Sequence, residues 1–176
     1  FSFNTPPKDS KVMELILMGE YEILSENYDN AKEYFLEALL QDTISISIYS
    51  SLGELSLIEE NYLDGVKYFN KAFLLDTTDI EMGLRTAKLY ISLQQLENSE
   101  KIIQSLHHKY PLDISIQDNL IRFYHISQQW DKIIDTYCTT FSKDTTQKEL
   151  IQRAVEIGIS TDNEDILLEK LSYLTS

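Results

Sequence analysis

A spacing of 34 residues recurs along this chain and constrains its fold more than any other feature. Gly19 and Gly53 are 34 residues apart, and each is followed by a glutamate. Pairs of neighbouring residues recur at the same distance: Asn27-Tyr28 with Asn61-Tyr62, and Tyr34-Phe35 with Tyr68-Phe69. A fixed period of this length is typical of proteins in which one small structural unit is stacked several times. The sequence therefore predicts a repeat protein.

The same frame continues along the chain without insertion or deletion and defines five units. They span residues 12–45, 46–79, 80–113, 114–147 and 148–176, and residues 1–11 form an N-terminal extension or linker before them. The fifth unit keeps only the apolar outline of the pattern. We therefore expect one repeat domain over residues 12–176.

Within each unit, two apolar stripes with the i, i+3, i+4, i+7 spacing of a helix are separated by a short polar break. Only five Gly and three Pro occur in 176 residues, too few for a protein built from tight turns and β-hairpins. Each unit is therefore predicted to be a hairpin of a first and a second helix. First helices are expected near 12–25, 46–59, 80–93, 114–127 and 147–160, and second helices near 28–41, 62–75, 96–109, 130–142 and 163–175.

Helix ends have their own sequence signals. Asparagines stand before three second helices, and two first helices are preceded by a threonine with a glutamate three places on, the pattern of a capping box. The expected capping residues are Asn27, Asn61, Asn163, Thr78 and Thr146. Second helices are expected to end at Asp42, Asp76, Tyr110 and Asp144.

A helical hairpin of 34 residues with a small residue at place eight, an aromatic or apolar residue at place seventeen and small residues at places twenty and twenty-seven resembles the tetratricopeptide repeat family. In the first unit these places hold Gly19, Tyr28, Ala31 and Ala38. The resemblance covers residues 12–176, although a proline at place thirty-two is present only as Pro111. It implies an all-α fold, an α-α superhelix forming a right-handed solenoid of about five hairpins.

The small residues predict how closely the two helices of each hairpin pack. Gly53 faces Gly65 in the second hairpin, where two helices can approach closely only if the crossing point lacks bulky side chains. The same places hold Ile121 and Ile133 in the fourth hairpin, so its helices should lie further apart. Phe35, Phe69 and Tyr137 share one place and should be buried between hairpins.

In the family that the chain resembles, the first helices line a concave groove that grips peptide segments of partner proteins. The resemblance therefore implies a groove here, with Met13 and Ser47 at lining places. Its candidate binding residues are Ile16, Glu20, Ile23, Glu54, Leu57, Leu84, Lys88, Ile91, Arg122 and His125. We expect a partner segment to place apolar side chains against the N-terminal half of the groove and an acidic group near Lys88 and Arg122.

Other interpretations of these residues stay open. Glu81 and Arg85, and likewise Asp118 and Arg122, are four residues apart on a helix and could form local ion pairs. The apolar groove residues could be ordinary packing between repeats. Members of the family that bind chaperone tails use a clamp of Lys and Asn, and of the corresponding places here only Arg85 carries a cation.

The composition and motifs argue against most other functions. A net charge of −14 disfavours nucleic-acid partners, and no apolar run is long enough to insert into a membrane. Cys138 has no histidine within a helical turn, and the adjacent His107 and His108 project in different directions, which is poor metal geometry. We therefore expect no enzyme activity, no metal and no cofactor.

The predicted function is that of a scaffold or adaptor for a protein or peptide partner. The alternative is an assembly module that forms homo-oligomers, or docks within a larger protein, through its terminal hairpins. The first residue is not Met. The compartment is therefore left open: a cytoplasmic location is favoured, and a periplasmic or secreted one remains open if a signal segment precedes Phe1.

Overall fold

The computed structural model describes residues 8–174, and within this range it contains ten α-helices and no strand. The all-α class is therefore confirmed, and in the first, second, fourth and fifth repeats the two helices pack as a hairpin. Helix ends agree with the predicted ones to within a residue, except that α1 begins at Lys8, four residues before the predicted start. The helices are α1 Lys8–Leu24, α2 Tyr28–Gln41, α3 Ile46–Ile58, α4 Tyr62–Leu75, α5 Ile80–Ser92, α6 Leu96–Lys109, α7 Ile114–Ile126, α8 Trp130–Lys143, α9 Lys148–Ser160 and α10 Glu164–Leu174.

The chain divides into two compact units. The N-terminal unit is Phe1–Leu93 and holds α1 to α5, and the C-terminal unit is Gln94–Ser176 and holds α6 to α10. The division falls inside the third repeat, between its first and second helices. The single repeat domain over residues 12–176 stays a prediction.

Every hairpin turns through one residue with left-handed backbone geometry. These five residues are 34 apart, like the repeats themselves, and their φ angles lie between 55° and 60°: Glu26, Glu60, Gln94, Gln128 and Asp162. The next residue closes the turn with a backbone hydrogen bond to the preceding helix, as in Asn61 N–H to Ser56 O at 2.7 Å. This is the Schellman arrangement, which satisfies the last carbonyl groups of a helix.

The structure corrects several of the predicted caps. Asp79 caps α5, because this helix begins one residue later than the threonine pattern implied, and Asp113 caps α7, for which the sequence predicted no cap. The hydroxyl of Thr78 instead donates to the Asp76 carboxylate, and Gln147, rather than Thr146, precedes α9. Asn61 does cap α4, as predicted.

The other two asparagines bond differently. The side-chain amide of Asn27 donates to the Glu22 carboxylate at 2.9 Å and does not cap α2. The amide of Asn163 donates to the backbone oxygen and the hydroxyl of Thr161. These bonds hold the hairpin turns rather than the helix starts.

The core of the N-terminal unit is built on aromatic rings that lie against glycines. Phe35 and Phe69 are fully buried, as predicted. A methyl group at Gly53 would lie 2.8 Å from the Phe69 ring, and Gly19 leaves the same space for Phe35. The place-eight glycine is therefore required by the aromatic ring as well as by the opposite helix.

The spacing of helices within hairpins changes as the sequence predicts. In the second hairpin, a methyl group at Gly65 would lie 3.4 Å from the Gly53 carbonyl oxygen, so the two backbones are close together. In the fourth hairpin Ile133 is fully buried at the equivalent place. The backbones of α7 and α8 approach each other closely at far fewer positions than the backbones of α3 and α4 do. The wider separation of the fourth hairpin is confirmed.

Candidate protein-interaction surface

In the N-terminal unit, the first helices of two successive repeats border a common cavity. The cavity has a volume of about 390 Å³ and brings together the predicted lining residues Met13, Ile16 and Ser47. Met13 and Ser47 are exposed, whereas Ile16 is 9% exposed and belongs to the hydrophobic core. The accessible wall of this cavity is therefore partly apolar and partly polar. Its lining residues are Val12, Met13, Ile16, Gln41, Asp42, Ser45 and Ser47.

The other apolar candidates are mostly engaged in packing. Leu84 is buried. Ile23 is half-buried and packs against the core, and the Leu57 side chain covers Gly65 on the next helix. Ile91 is half-buried. Packing between helices, one of the two interpretations left open, therefore accounts for most of the apolar candidate residues.

Glu54 is held in an ion pair across two hairpins. Both guanidinium nitrogens of Arg85 donate to its carboxylate, one of them at 2.7 Å, and the guanidinium lies 4.3 Å from the centre of the Phe69 ring. The hydrogen bonds that Arg85 donates to the Glu54 carboxylate raise the pKa of Arg85. The local pair between Arg85 and Glu81 is therefore a wrong interpretation. The repeat register could have indicated the pair of Glu54 with Arg85, since these residues lie on the first helices of adjacent repeats.

Three of the charged candidates are exposed and make no salt bridge within residues 10–174: Glu20, Lys88 and Arg122. The local pair of Arg122 with Asp118 is therefore not formed. Lys88 lies in α5 of the N-terminal unit, and Arg122 lies in α7 of the C-terminal unit. His125, also in α7, is exposed and places its ring edge-on to Trp130, with centroids 4.8 Å apart.

The C-terminal unit contains a polar network that the sequence patterns did not indicate. Lys132 forms an ion pair with Glu100 at 2.6 Å, and Gln104 donates to the Tyr124 hydroxyl at 2.9 Å. The hydrogen bond that Lys132 donates to the Glu100 carboxylate raises the pKa of Lys132, and burial raises the pKa of Tyr124. The network spans three helices, α6, α7 and α8, and so links two repeats.

Beside this network lies a cavity of about 250 Å³, which His107 and Lys143 help to line. The Nδ1 atom of His107 is buried without a hydrogen-bond partner among the described residues. Burial, and then the charge of Lys143, lower the pKa of His107. His107 is therefore kept in its neutral form.

Cys138 and the histidines are the residues that the sequence analysis weighed for catalysis or metal binding. Cys138 is buried, and burial raises the pKa of its thiol. Within the described range, no three His, Cys, Asp or Glu side chains are grouped so that they could hold a metal ion. Among the helices of residues 8–174, none has the length and apolar character needed to cross a membrane.

No protein-family profile matches this chain, and no curated protein sequence matches it. Solved structures do match. MamA from Desulfovibrio magneticus RS-1 superposes with a TM-score of 0.57 at 14% identity, over 94% of this chain and 93% of that one. YrrB, described as a TPR protein with an unusual peptide-binding site, gives a TM-score of 0.57 at 14% identity, over 91% and 82%. The chain has the tetratricopeptide repeat (TPR) fold.

A third TPR structure matches a shorter part of the chain. The first TPR of Spaghetti (RPAP3), bound to the HSP90 peptide SRMEEVD, has a TM-score of 0.53 at 15% identity. It covers 68% of this chain and 94% of its own. The shared feature is the stacked helical hairpin.

Proposed function

We propose that this TPR-fold chain is a non-catalytic scaffold that binds a peptide or protein segment along its first helices. The proposal rests on the exposed surface of those helices in the N-terminal unit. Met13 and Ser47 border an open cavity, and Glu20 and Lys88 are exposed without an ion pair in the described part of the chain. Two structures with this fold are described by their peptide-binding site or bound peptide, which supports the same role here.

The proposed partner segment carries apolar side chains and an acidic group. Met13 supplies exposed apolar surface, and Lys88 supplies a cation that no neighbouring carboxylate neutralises. Arg85 does not serve this purpose, because its guanidinium is already paired with Glu54. A clamp for chaperone tails is therefore disfavoured, since Arg85 is the only cation at the corresponding places.

The experiment measures fluorescence anisotropy of a labelled peptide in which leucine and phenylalanine are followed by glutamates. Reversing the charge at both Lys88 and Arg122, as Lys88→Glu and Arg122→Glu, is expected to weaken binding by about tenfold or more. Lys71→Glu is the control, because Lys71 is also an exposed lysine but lies on a second helix. Unchanged affinity in the double variant would refute the proposed groove polarity.

The assembly alternative also has an observation in its favour. Leu168 on α10 is 64% exposed, whereas Ile134, at the same place of the preceding repeat, is fully buried. The last hairpin thus presents an apolar residue that a further hairpin would cover. Light scattering of the unmodified chain and of Leu168→Lys distinguishes the two functions. A dimer that Leu168→Lys dissociates would favour assembly, with Glu169→Lys as the exposed neighbouring control.

A further inference from the structure

The outer face of α1 is apolar, and no residue of the range 10–174 covers it. We use this name for Met13, Leu17, Met18 and Tyr21, which border a cavity of about 640 Å³ together with Tyr34 of α2. Leu17 is 57% exposed and Tyr21 is 66% exposed. Solvent exposure of large apolar side chains in one contiguous group is unusual for a surface without a partner.

Two of these four places, those of Met18 and Tyr21, are covered in the second and fourth repeats. Met18 and Tyr21 correspond to Leu52 and Leu55 in the second repeat, both 1% exposed. Those two leucines belong to one hydrophobic cluster with Phe35 and Ala38 of α2. The fourth repeat repeats this arrangement, with Leu120 and Phe123 buried. In this fold the outer face of a first helix is therefore the surface on which another helix packs.

The first repeat has a charged residue at a place that is apolar in the other repeats. Glu14 stands where later repeats have the buried residues Ile48, Ile116 and Leu150. A helix that covers this face as in the later repeats would bury the Glu14 carboxylate, and burying an unpaired charge is costly. The occupant therefore has to supply a cation at this point.

A second carboxylate lies at the other end of the cavity. Glu14 and Glu22 both line it, and eight residues of helix separate them, which corresponds to about 12 Å along the axis. Glu22 accepts hydrogen bonds from Asn27 and Asn30, and these neutral donors leave its charge in place. Among residues 10–174, no Lys or Arg borders the cavity, and nearby Lys11 forms a salt bridge with Glu37 at 3.0 Å. The face is apolar in the middle and acidic at both ends.

A second copy of this chain fits such a face poorly. Its last helix, α10, carries the acidic residues Glu164, Asp165 and Glu169, and its one cation, Lys170, is paired with Asp135. Like charges across a contact are repulsive. Charge complementarity instead favours an occupant with basic edges.

We propose that the outer face of α1 is a second interaction surface, which binds an amphipathic helix of a partner protein. The helix places apolar side chains against Leu17 and Tyr21 and lysine or arginine side chains toward Glu14 and Glu22. Met13 and Met18 are flexible and adapt to different apolar shapes. This surface shares Met13 with the groove under Proposed function, but its contact residues Leu17 and Tyr21 lie outside that groove, and the proposal does not depend on it.

The test uses the full chain and two labelled peptides in fluorescence anisotropy. Both peptides are helical and carry leucine at i, i+3, i+4 and i+7; one has lysines beside this stripe, and the other has glutamates. The lysine peptide is expected to bind, and the glutamate peptide to bind about tenfold more weakly or not at all. Substituting both Leu17→Gln and Tyr21→Gln should weaken binding of the lysine peptide by about tenfold or more. Glu14→Gln should weaken it less and reduce its dependence on salt.

Two controls keep these results specific. Leu74→Gln changes a leucine of matching exposure, 59%, on the second helix of another hairpin in the same unit, and should leave binding unchanged. Lys88→Glu, the groove variant, should also leave it unchanged, so failure of the groove proposal and of this one can be told apart.

Several outcomes would overturn the proposal. They are equal binding of the two peptides, no binding of either, or full affinity in the Leu17 and Tyr21 double variant. Self-association of the unmodified chain that the double variant abolishes would make a second copy the occupant. Binding that appears only after removal of residues 1–7 would make the chain's own N-terminal segment the occupant.

Discussion

The N-terminal and C-terminal units use the same 34-residue repeat but join their helices in different ways. In the N-terminal unit, the rings of Phe35 and Phe69 lie against glycines, and the helices of each hairpin are close. In the C-terminal unit, isoleucines occupy the crossing point of the fourth hairpin, and the two helices of that hairpin lie further apart. A repeat frame therefore specifies which helices meet, whereas a few residues at the crossing points decide how closely they meet.

The largest expected effect comes from removing one of the buried rings. Phe69→Ala should lower the free energy of unfolding by about 3–5 kcal/mol, because it leaves a cavity beside Gly53. Tyr137→Ala, at the equivalent place in the C-terminal unit, should cost less, since the Tyr137 ring is not fully buried. Urea denaturation followed by circular dichroism measures both.

The control for this comparison is Tyr62→Ala, which removes an exposed ring from the same helix. It should change stability by no more than about 0.5 kcal/mol. A loss below about 1 kcal/mol for Phe69→Ala would contradict the packing described for the N-terminal unit.

An intermediate loss of stability is expected when Gly53 of the second hairpin is replaced by isoleucine, the residue at the same place of the fourth hairpin. Gly53→Ile should destabilise the chain by about 1–3 kcal/mol, although isoleucine is the better helix former, because its side chain meets the Phe69 ring. Adding Phe69→Leu makes room and should recover part of the loss. If the single variant were as stable as the unmodified chain in urea denaturation, close packing at Gly53 would not distinguish the two units.

Much of the fold could be predicted from the sequence, because the repeat itself carries the information. The 34-residue period placed ten helices, and the contrast between Gly53 and Ile121 predicted the wider fourth hairpin. The hairpin turns could not be predicted in detail. They adopt left-handed geometry at charged or amide residues such as Glu60 and Gln128, where glycine would have been the expected signal.

The candidate surface was less predictable than the fold. A lining place fixes the side of a helix but not how far a side chain reaches, so Leu84 was assigned to the groove and lies in the core. Glu54 and Arg85 are separated by 31 residues, and patterns within one helix favoured a pair with Glu81 instead. The exposed outer face of α1 could not be predicted, because it is recognised only when the burial of each place is compared between the repeats.

The smallest expected effect concerns His107, which occupies a place that holds Leu39 and Phe73 in the N-terminal unit. Burial and the charge of Lys143 lower its pKa in the folded chain, so the unfolded chain takes up a proton at higher pH. The folded chain accommodates the neutral histidine above about pH 6.5. Below that value the unfolded chain binds a proton at His107 more readily than the folded chain does, so the free energy of unfolding falls.

His107→Leu should therefore reduce the drop in the free energy of unfolding between about pH 7.5 and 5.5, measured by urea denaturation at each pH. His108→Leu, on the exposed side of the same helix, is the control and should change the drop only slightly, because the charge of His108 is a smaller cause of the lowered pKa of His107 than burial is. An equal drop in the His107 variant and the unmodified chain would mean that this polar substitution in the C-terminal unit has no energetic consequence.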